Sequence, residues 1–348
     1  MPAALIGFLV MGFADGIGVA MSRLCADYDF PLAVGGALPS LIFLWFFALS
    51  VPVGGLCIRF GRRRIALVSL LVTSAAMFLP VIAKVSPVAV FALSFALLGI
   101  SNVGLQVSLP PFVASVSSSK SVAGRVMACL AAKTGMAAAI PAVFAGCAVI
   151  GNWTWAFPVG AVLALAAATL LSRTAVSAAT DAVPSVSYGS AVRFMADPIV
   201  AAVVLSFALA ICQDVGLNLV LPGLLRSFYG WDSARQGLGA GVYFLAKIPA
   251  MLAGAWILPR MRPSSAAAPC VAAVVVGLAV LFAAPPVGLF FAALLLVSFG
   301  SANFYGIAFG ILAERHPADL DRLSSLLVMA ISSAALVAPV LTLCGWRF

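Results

Sequence analysis

Apolar residues in this chain come in long unbroken runs separated by short polar stretches. Eleven runs are legible, at about 3–22, 36–58, 65–83, 86–108, 126–150, 154–172, 198–221, 238–259, 265–283, 287–312 and 323–344. Each is close to the roughly 20 residues that a helix needs to cross the hydrocarbon core of a bilayer. Backbone polar groups in lipid must be satisfied within the segment, so runs of this kind are predicted to be helices. The ten-residue period-two alternation of a membrane barrel is absent from the pattern. The first run has no basic leader and continues to Arg23 without an evident cleavage site, so it is expected to stay as a helix rather than act as a signal peptide. The prediction is an all-α integral membrane protein.

Composition agrees. The chain is 64% hydrophobic and 8% charged, with a mean hydropathy of +1.20. Soluble domains hold roughly 45–50% apolar residues. The formal net charge of +9 would suit a nucleic-acid binder, but its placement argues for topology instead. Numbering the loops from the N-terminus, the even ones hold Arg59, Arg62, Arg63, Arg64, Lys120, Arg125, Arg173, Arg193, Arg260, Arg262, Arg315 and Arg322. The odd ones hold Arg23, Lys84, Arg226 and Arg235. Basic loops are retained in the cytoplasm, so the even loops and the N-terminus are expected on that side. The seven cysteines lie mostly within apolar runs and form no C-x-x-C pair, which points to small buried hydrophobes rather than to a metal or disulfide framework.

The chain also resembles itself. Phe43–Arg59, FLWFFALSVPVGGLCIR, aligns with Phe244–Arg260, FLAKIPAMLAGAWILPR, at an offset of 201. GISN at Gly99 and GSAN at Gly300 share that offset; VMA at Val126 returns at Val328, and Asp15 faces Asp214 at an offset of 199. The expected organisation is an N-terminal bundle of six helices over 1–173, a polar cytoplasmic linker over 174–196, and a related bundle over 197–348. The duplication predicts a twelfth helix near 354–373, beyond Phe348, so eleven are expected here.

These residues carry a family resemblance. GGLCIRFGRRR resembles the loop 2–3 signature of the major facilitator superfamily, Gly-x-Leu-x-Asp-Arg-x-Gly-Arg-Arg/Lys, through Gly54, Leu56, Arg59, Gly61, Arg62 and Arg63; the acidic position is Ile58. In that family the loop helps clamp the two halves on the cytoplasmic side, and its acid engages the opposite bundle. With isoleucine at that position, an inner gate that is weaker or differently built is expected. FLWFFALSVPVGGL, GISNVGLQVSLPPFV, GNWTWAFP and QDVGLN further resemble the fucose permease-like group of sugar:proton symporters of gut bacteria. The resemblance implies a multi-pass protein of the bacterial cytoplasmic membrane, acting as a monomer. It would move a small neutral sugar by alternating access, with proton coupling. It also implies a carboxylate on the first helix and one on the fourth. Asp15 fits the first; the fourth-helix position is Gln106, which does not titrate.

Charge within the runs is the strongest residue-level signal, because an ionisable group at the bilayer centre costs about 2.5–3.5 kcal/mol on insertion scales and is usually paired and functional. Asp15, Lys133, Asp214 and Lys247 are the four candidates. Two buried ion pairs locking helices together is the structural reading; a proton or substrate site is the functional one. Asn102, Gln106, Gln213, Asn218 and Asn303 supply amides for sugar hydroxyls, with Trp45, Tyr243 and Tyr305 as aromatic partners, though buried amides also join helices. Asn102 and Asn303, from the duplicated G-x-x-N, are expected to face each other across a cavity. Trp45 reads as a packing or lipid-facing residue. Gly237, Gly239 and Gly241 read as a close-packing stripe, and Pro141, Pro249 and Pro339 as kinks. His316 is expected to be a solvated loop residue. Asp319 and Asp321 are expected to answer the arginines as exposed pairs of little energetic weight.

No zincin, nucleophile-elbow or phosphate-loop motif occurs in the sequence. An enzyme is therefore not expected, nor a cofactor, a metal or a nucleic-acid partner. Transport of another small molecule, an organic anion or a drug, stays open at this stage, as do uncoupled facilitated diffusion and a non-transporting paralogue.

Overall fold

The structure, a computed structural model, describes residues 2–15, 24, 27–28, 32–83, 86–116, 122–174, 193–231 and 233–345. Side chains are not described at 14–15, 32–43, 141, 145, 218–219, 222, 233–240, 336 and 339–345. Among the described residues there is no strand. The helices are α1 (Pro2–Asp15), α2 (Leu32–Phe60), α3 (Arg62–Phe78), α4 (Pro87–Ser115), α5 (Val122–Ile150), α6 (Ala156–Ser172), α7 (Pro198–Tyr229), α8 (Ser233–Ile257), α9 (Pro263–Phe282), α10 (Val287–Ser301), α11 (Phe304–Arg315) and α12 (Leu320–Gly345). Seven spans among the described residues are long and apolar enough to cross a membrane, and an eighth, over α5, qualifies as one span bent by 40° at residue 141. That bend is the one expected at Pro141. Pro249 lies inside Ser233–Ile257, within the single span Gly241–Arg260. Pro339 has no described side chain.

Several helix ends differ from the pattern. α4 continues through Pro110 and Pro111 to Ser115, because a membrane helix can re-satisfy the backbone groups that proline frees. α7 extends to Tyr229 and stops at Gly230, whose left-handed backbone (φ 64) lets its N–H reach the Arg226 carbonyl at 2.9 Å. This is the glycine C-cap that ordinary residues adopt at a cost. The tenth apolar run is not one helix. It breaks at Ala302–Asn303, between α10 and α11.

The chain forms two compact units. Unit 1 comprises Met1–Val116, Gly135–Arg193 and Asp319–Met329; unit 2 comprises Ser117–Thr134, Phe194–Ala318 and Ala330–Phe348. The expected linker, 174–196, lies outside the described residues between 175 and 192.

Unit 1 is built on an aromatic core. Phe91 stacks on Trp153 at 6.0 Å, Trp153 on Phe144 at 5.7 Å, and Phe157 meets Phe144 edge-on at 5.5 Å. GNWTWAFP supplies this core through a turn. Asn152 Oδ1 accepts from the Thr154 amide at 3.0 Å and its hydroxyl at 2.9 Å, which starts the helix and directs Trp153 inward. α3 and α4 approach closely where Gly104 faces Ser69, whose hydroxyl occupies the space a Cβ would need. Thr73 donates to Ser101 at 2.8 Å nearby.

Unit 2 packs Leu217, Leu221, Leu224 and Tyr243 against Phe290, Leu294 and Val297. α9 and α10 pack through Gly277 and Gly300, the latter facing the Cys270 carbonyl at 2.6 Å from a would-be Cβ. The glycine stripe expected on α8 is not found where described. A Cβ at Gly241 meets open space, and Gly237 and Gly239 lie outside the described side chains. Close approach occurs instead at Gly254, where a Cβ would overlap Asn303 Oδ1.

Candidate functional site

Unit 2 holds a polar cluster inside its apolar core. Asp214 on α7 accepts two donors from α8 on one carboxylate oxygen. Lys247 Nζ lies 2.5 Å from Oδ1, and the Tyr243 hydroxyl donates to the same atom. The side chains of Lys247 and Asp214 are 8% and 21% exposed, so the charges are largely withdrawn from solvent. Lys247 also sits over the Tyr243 ring, 4.5 Å from its centroid, and 5.3 Å from that of Phe244. One turn separates Tyr243 from Lys247 on α8, and that spacing puts both on one helix face.

Next to the pair, Gln213 lies within electrostatic reach of the Tyr243 hydroxyl. Yet neither end of its buried amide meets hydrogen-bond geometry with any described residue. A buried polar group in that state costs about 1–3 kcal/mol unless something else satisfies it. Asn303 is similar in part. Its Nδ2 donates to the Ala250 carbonyl at 3.2 Å, while its Oδ1 is buried with no described partner.

The other predicted residues separate by unit. Asn102 and Gln106 are buried on α4 in unit 1, whereas Lys133 is half-buried in unit 2. The side chains of Asp15 and Asn218 lie outside the described residues. Trp45 packs against the unit 1 core, and its indole N–H and the Ser50 hydroxyl, both on α2, are buried without a described partner. Tyr305 meets Phe207 edge-on at 5.6 Å.

The arginine motif has a geometry of its own within unit 1. α2 and α3 are separated by Gly61, with φ 88 and ψ 138, a backbone that a side chain rarely adopts. α3 therefore opens with Arg62, Arg63 and Arg64 at its positive end, where cations are unfavourable. Two of them are answered. Arg62 makes a bidentate pair with Asp321, at 2.7 and 2.9 Å, and reaches the Pro111 carbonyl at 3.3 Å. Arg63 donates to the Leu171 carbonyl at 3.0 Å and to that of Ser172, closing the negative end of α6. Arg59 lies 5.1 Å from the Phe60 ring centroid. Gly54 faces the first turns of α12, where a Cβ would overlap Ser325 Oγ and lie 3.3 Å from the Asp321 carbonyl.

Asp321 is thus not the exposed residue expected. It is buried, at the amino end of α12 where a carboxylate is favoured. Asp319 pairs with Arg322 instead, at 2.8 Å. His316 is half-buried rather than free in solvent, with Nε2 3.3 Å from Asp197 Oδ2 and its ring edge-on to Phe194. Arg315 also pairs with Asp197, and its guanidinium holds that carboxyl well below the usual carboxylate range. Among the described residues no group of acids, cysteines and histidines could hold a metal.

Comparison of the sequence with curated proteins finds no significant match. Solved structures give full-length likenesses. A single-substitution variant of the Escherichia coli fucose:proton symporter FucP superposes with a TM-score of 0.83 at 17% identity, over 99% of this chain and 91% of that one. The human organic anion transporter MFSD10 (TETRAN) gives 0.75 at 16%, over 99% and 93%. The proton:xylose symporter XylE bound to 6-bromo-6-deoxy-D-glucose gives 0.68 at 16%, over 99% and 87%. At these identities the likeness concerns the fold. The sequence profile of the Major Facilitator Superfamily matches residues 3–197, more than half of the chain. This protein, a multi-pass membrane protein, belongs to the Major Facilitator Superfamily, a family of transporters.

Proposed function

We propose that the chain carries a small neutral polyhydroxylated solute, a fucose- or hexose-like sugar, across the bacterial cytoplasmic membrane by alternating access and with proton coupling. The observation that carries the reading is the Asp214–Lys247 pair with the buried amide of Gln213, which meets no full hydrogen-bond geometry, beside it. The pair is already neutral. A ligand charge about 4 Å from either member would gain or lose roughly 4 kcal/mol at an effective dielectric of 20, and the other member would cancel most of that. A charged ligand would then lose its hydration for little return. A hydroxyl group donates to a carboxylate and accepts from an ammonium or an amide N–H, so it matches these groups without adding charge. Asn102 and Gln106 are assigned the same kind of contact in unit 1, with Asn303 in unit 2. Asp15 and Asn218 on α1 and α7, and Lys133 on α5, complete the assignment.

The arginine-rich face is assigned to the cytoplasm, and the helices over 1–173 and 197–348 to the two moving halves. On this reading Gly54, Arg59, Gly61, Arg62 and Arg63 form the cytoplasmic gate, and Asp321 supplies the carboxylate that Ile58 does not.

Ligand-induced stabilisation of the purified protein tests the substrate class. Free ligand at about 100 times its Kd adds roughly 2.7 kcal/mol to stability. L-Fucose, D-galactose or D-glucose should raise the unfolding midpoint, while succinate and L-lactate leave it unchanged. Stabilisation by the anions alone would replace the sugar with an organic anion.

A further inference from the structure

α8 carries an exposed stripe on the side turned away from the unit 2 core. Tyr243, Lys247, Ala250 and Leu258 are buried on one face, and the helical period puts Leu245, Leu252, Trp256 and Arg260 on the other. Leu245, Leu252 and Trp256 are 58%, 54% and 64% exposed. The stripe ends at Arg260, the last residue of the span Gly241–Arg260. A tryptophan one turn before the end of a span sits at headgroup depth, where its ring is favoured.

The turn that follows is short and held in place. Leu258–Arg260 forms a 3₁₀ turn, Met261 is extended, and α9 starts at Pro263. Pro259 sits against Gly124 of α5, in the space a Cβ there would need, and Pro263 Cγ lies 2.9 Å from a would-be Cβ at Gly310 of α11. Two prolines of fixed φ, each seated on a glycine, thus bracket Arg260 and Arg262. The Arg260 guanidinium lies 4.1 Å from the Trp256 ring centroid and donates to the Trp256 carbonyl. Arg262 is exposed two positions on. Among the described residues neither arginine pairs with an acid. The corresponding turn of unit 1 differs, since Arg62 meets Asp321 and Arg63 meets the carbonyls that end α6.

We propose that Trp256, Arg260 and Arg262 form a binding site for the phosphate of an anionic phospholipid, with an acyl chain lying along Leu252 and Leu245. Two cations on a fixed turn, without an acid to neutralise them, attract an anion. The guanidinium fork matches phosphate oxygens through paired hydrogen bonds. The apolar stripe selects a lipid over a soluble phosphate, because only a ligand with a hydrocarbon chain gains from covering it. Basic residues at the end of a span are drawn to anionic headgroups in the same way. The site is separate from the Asp214–Lys247 pair and does not depend on which solute is carried.

Trp256 can report its own lipid neighbour. The whole protein is placed in mixed vesicles of phosphatidylglycerol and phosphatidylcholine, with bromine on the chains of one lipid or the other. The Trp256 signal is taken as wild type minus Trp256→Phe, and unfolding midpoints check that each variant is folded. Brominated phosphatidylglycerol should quench Trp256 the more strongly, with a preference of roughly tenfold or more over phosphatidylcholine. Arg260→Gln and Arg262→Gln should each lower that preference about fivefold, the share of one basic residue near the surface. Arg64→Gln, at an exposed arginine of unit 1, should leave it unchanged. Equal quenching by the two lipids overturns the proposal. So does a fall with Arg64→Gln as large as with Arg260→Gln, which would mean a diffuse surface potential rather than a site. Displacement of phosphatidylglycerol by inorganic phosphate, against chloride at matched ionic strength, would replace the lipid with a soluble anion and overturn the assignment. Failure of sugar transport would leave the quenching result standing and would count only against the function.

Discussion

Asp214→Asn and Lys247→Ala each destabilise the folded protein by roughly 3–5 kcal/mol, because removal of one partner leaves the other buried and unpaired. The magnitude follows from the low exposure of both side chains and from the second donor, Tyr243, on the same carboxylate oxygen. The double change Asp214→Leu with Lys247→Met behaves differently. It removes both charges and fills similar volume, so stability returns to within about 1–2 kcal/mol of wild type, as apolar replacements of buried pairs often do. Transport does not return, because the groups assigned to solute and proton are gone. Unfolding midpoints in detergent and sugar uptake in vesicles read the two quantities separately. A stable single mutant would mean that the pair is hydrated; a transporting double mutant would make it structural.

The second large effect is expected at Arg62 and Asp321. Arg62→Ala strands a buried carboxylate, and Asp321→Ala leaves three cations at the positive end of α3 with one fewer acceptor. The Arg62 side chain is 26% exposed and can recover some hydration, so the expected loss is about 1–3 kcal/mol for each variant. If the pair holds one side of the transport equilibrium, about 1.4 kcal/mol changes the population of that state tenfold. Initial uptake should then fall by roughly that factor while the protein stays in the membrane. Arg62→Asp with Asp321→Arg re-forms the pair and should recover part of the rate. Unchanged uptake in both single variants would remove the pair from the transport cycle.

How much of this was legible in the sequence depended on how local the cause was. The apolar runs located the helices because lipid enforces length and continuity. Asp214 and Lys247 stood out because charge is rare in such runs, but that they meet each other depends on helix packing. Asp321 was underestimated: it lies among Arg315, His316, Asp319 and Arg322, which reads as a solvated loop, and its partner is 259 positions away. The break at Ala302–Asn303 left no proline as a marker, whereas Pro110 and Pro111, just past the fourth apolar run, lie within α4. Tyr243 entered as one aromatic among several for a sugar, and its hydroxyl proved to connect α7 with the end of α10.

The central claim, sugar transport driven by protons, is tested most directly by uptake of labelled L-fucose, D-galactose and D-glucose into vesicles holding the wild-type chain, with and without an imposed inward proton gradient. The same assay on Asp15→Asn and Asp214→Asn compares the two candidate carboxylates. The account predicts accumulation of at least one sugar above its external concentration when the gradient is present, equilibration without it, and loss of the gradient's effect in Asp214→Asn. Absence of uptake for all three sugars, from protein shown to be folded and inserted, would contradict it.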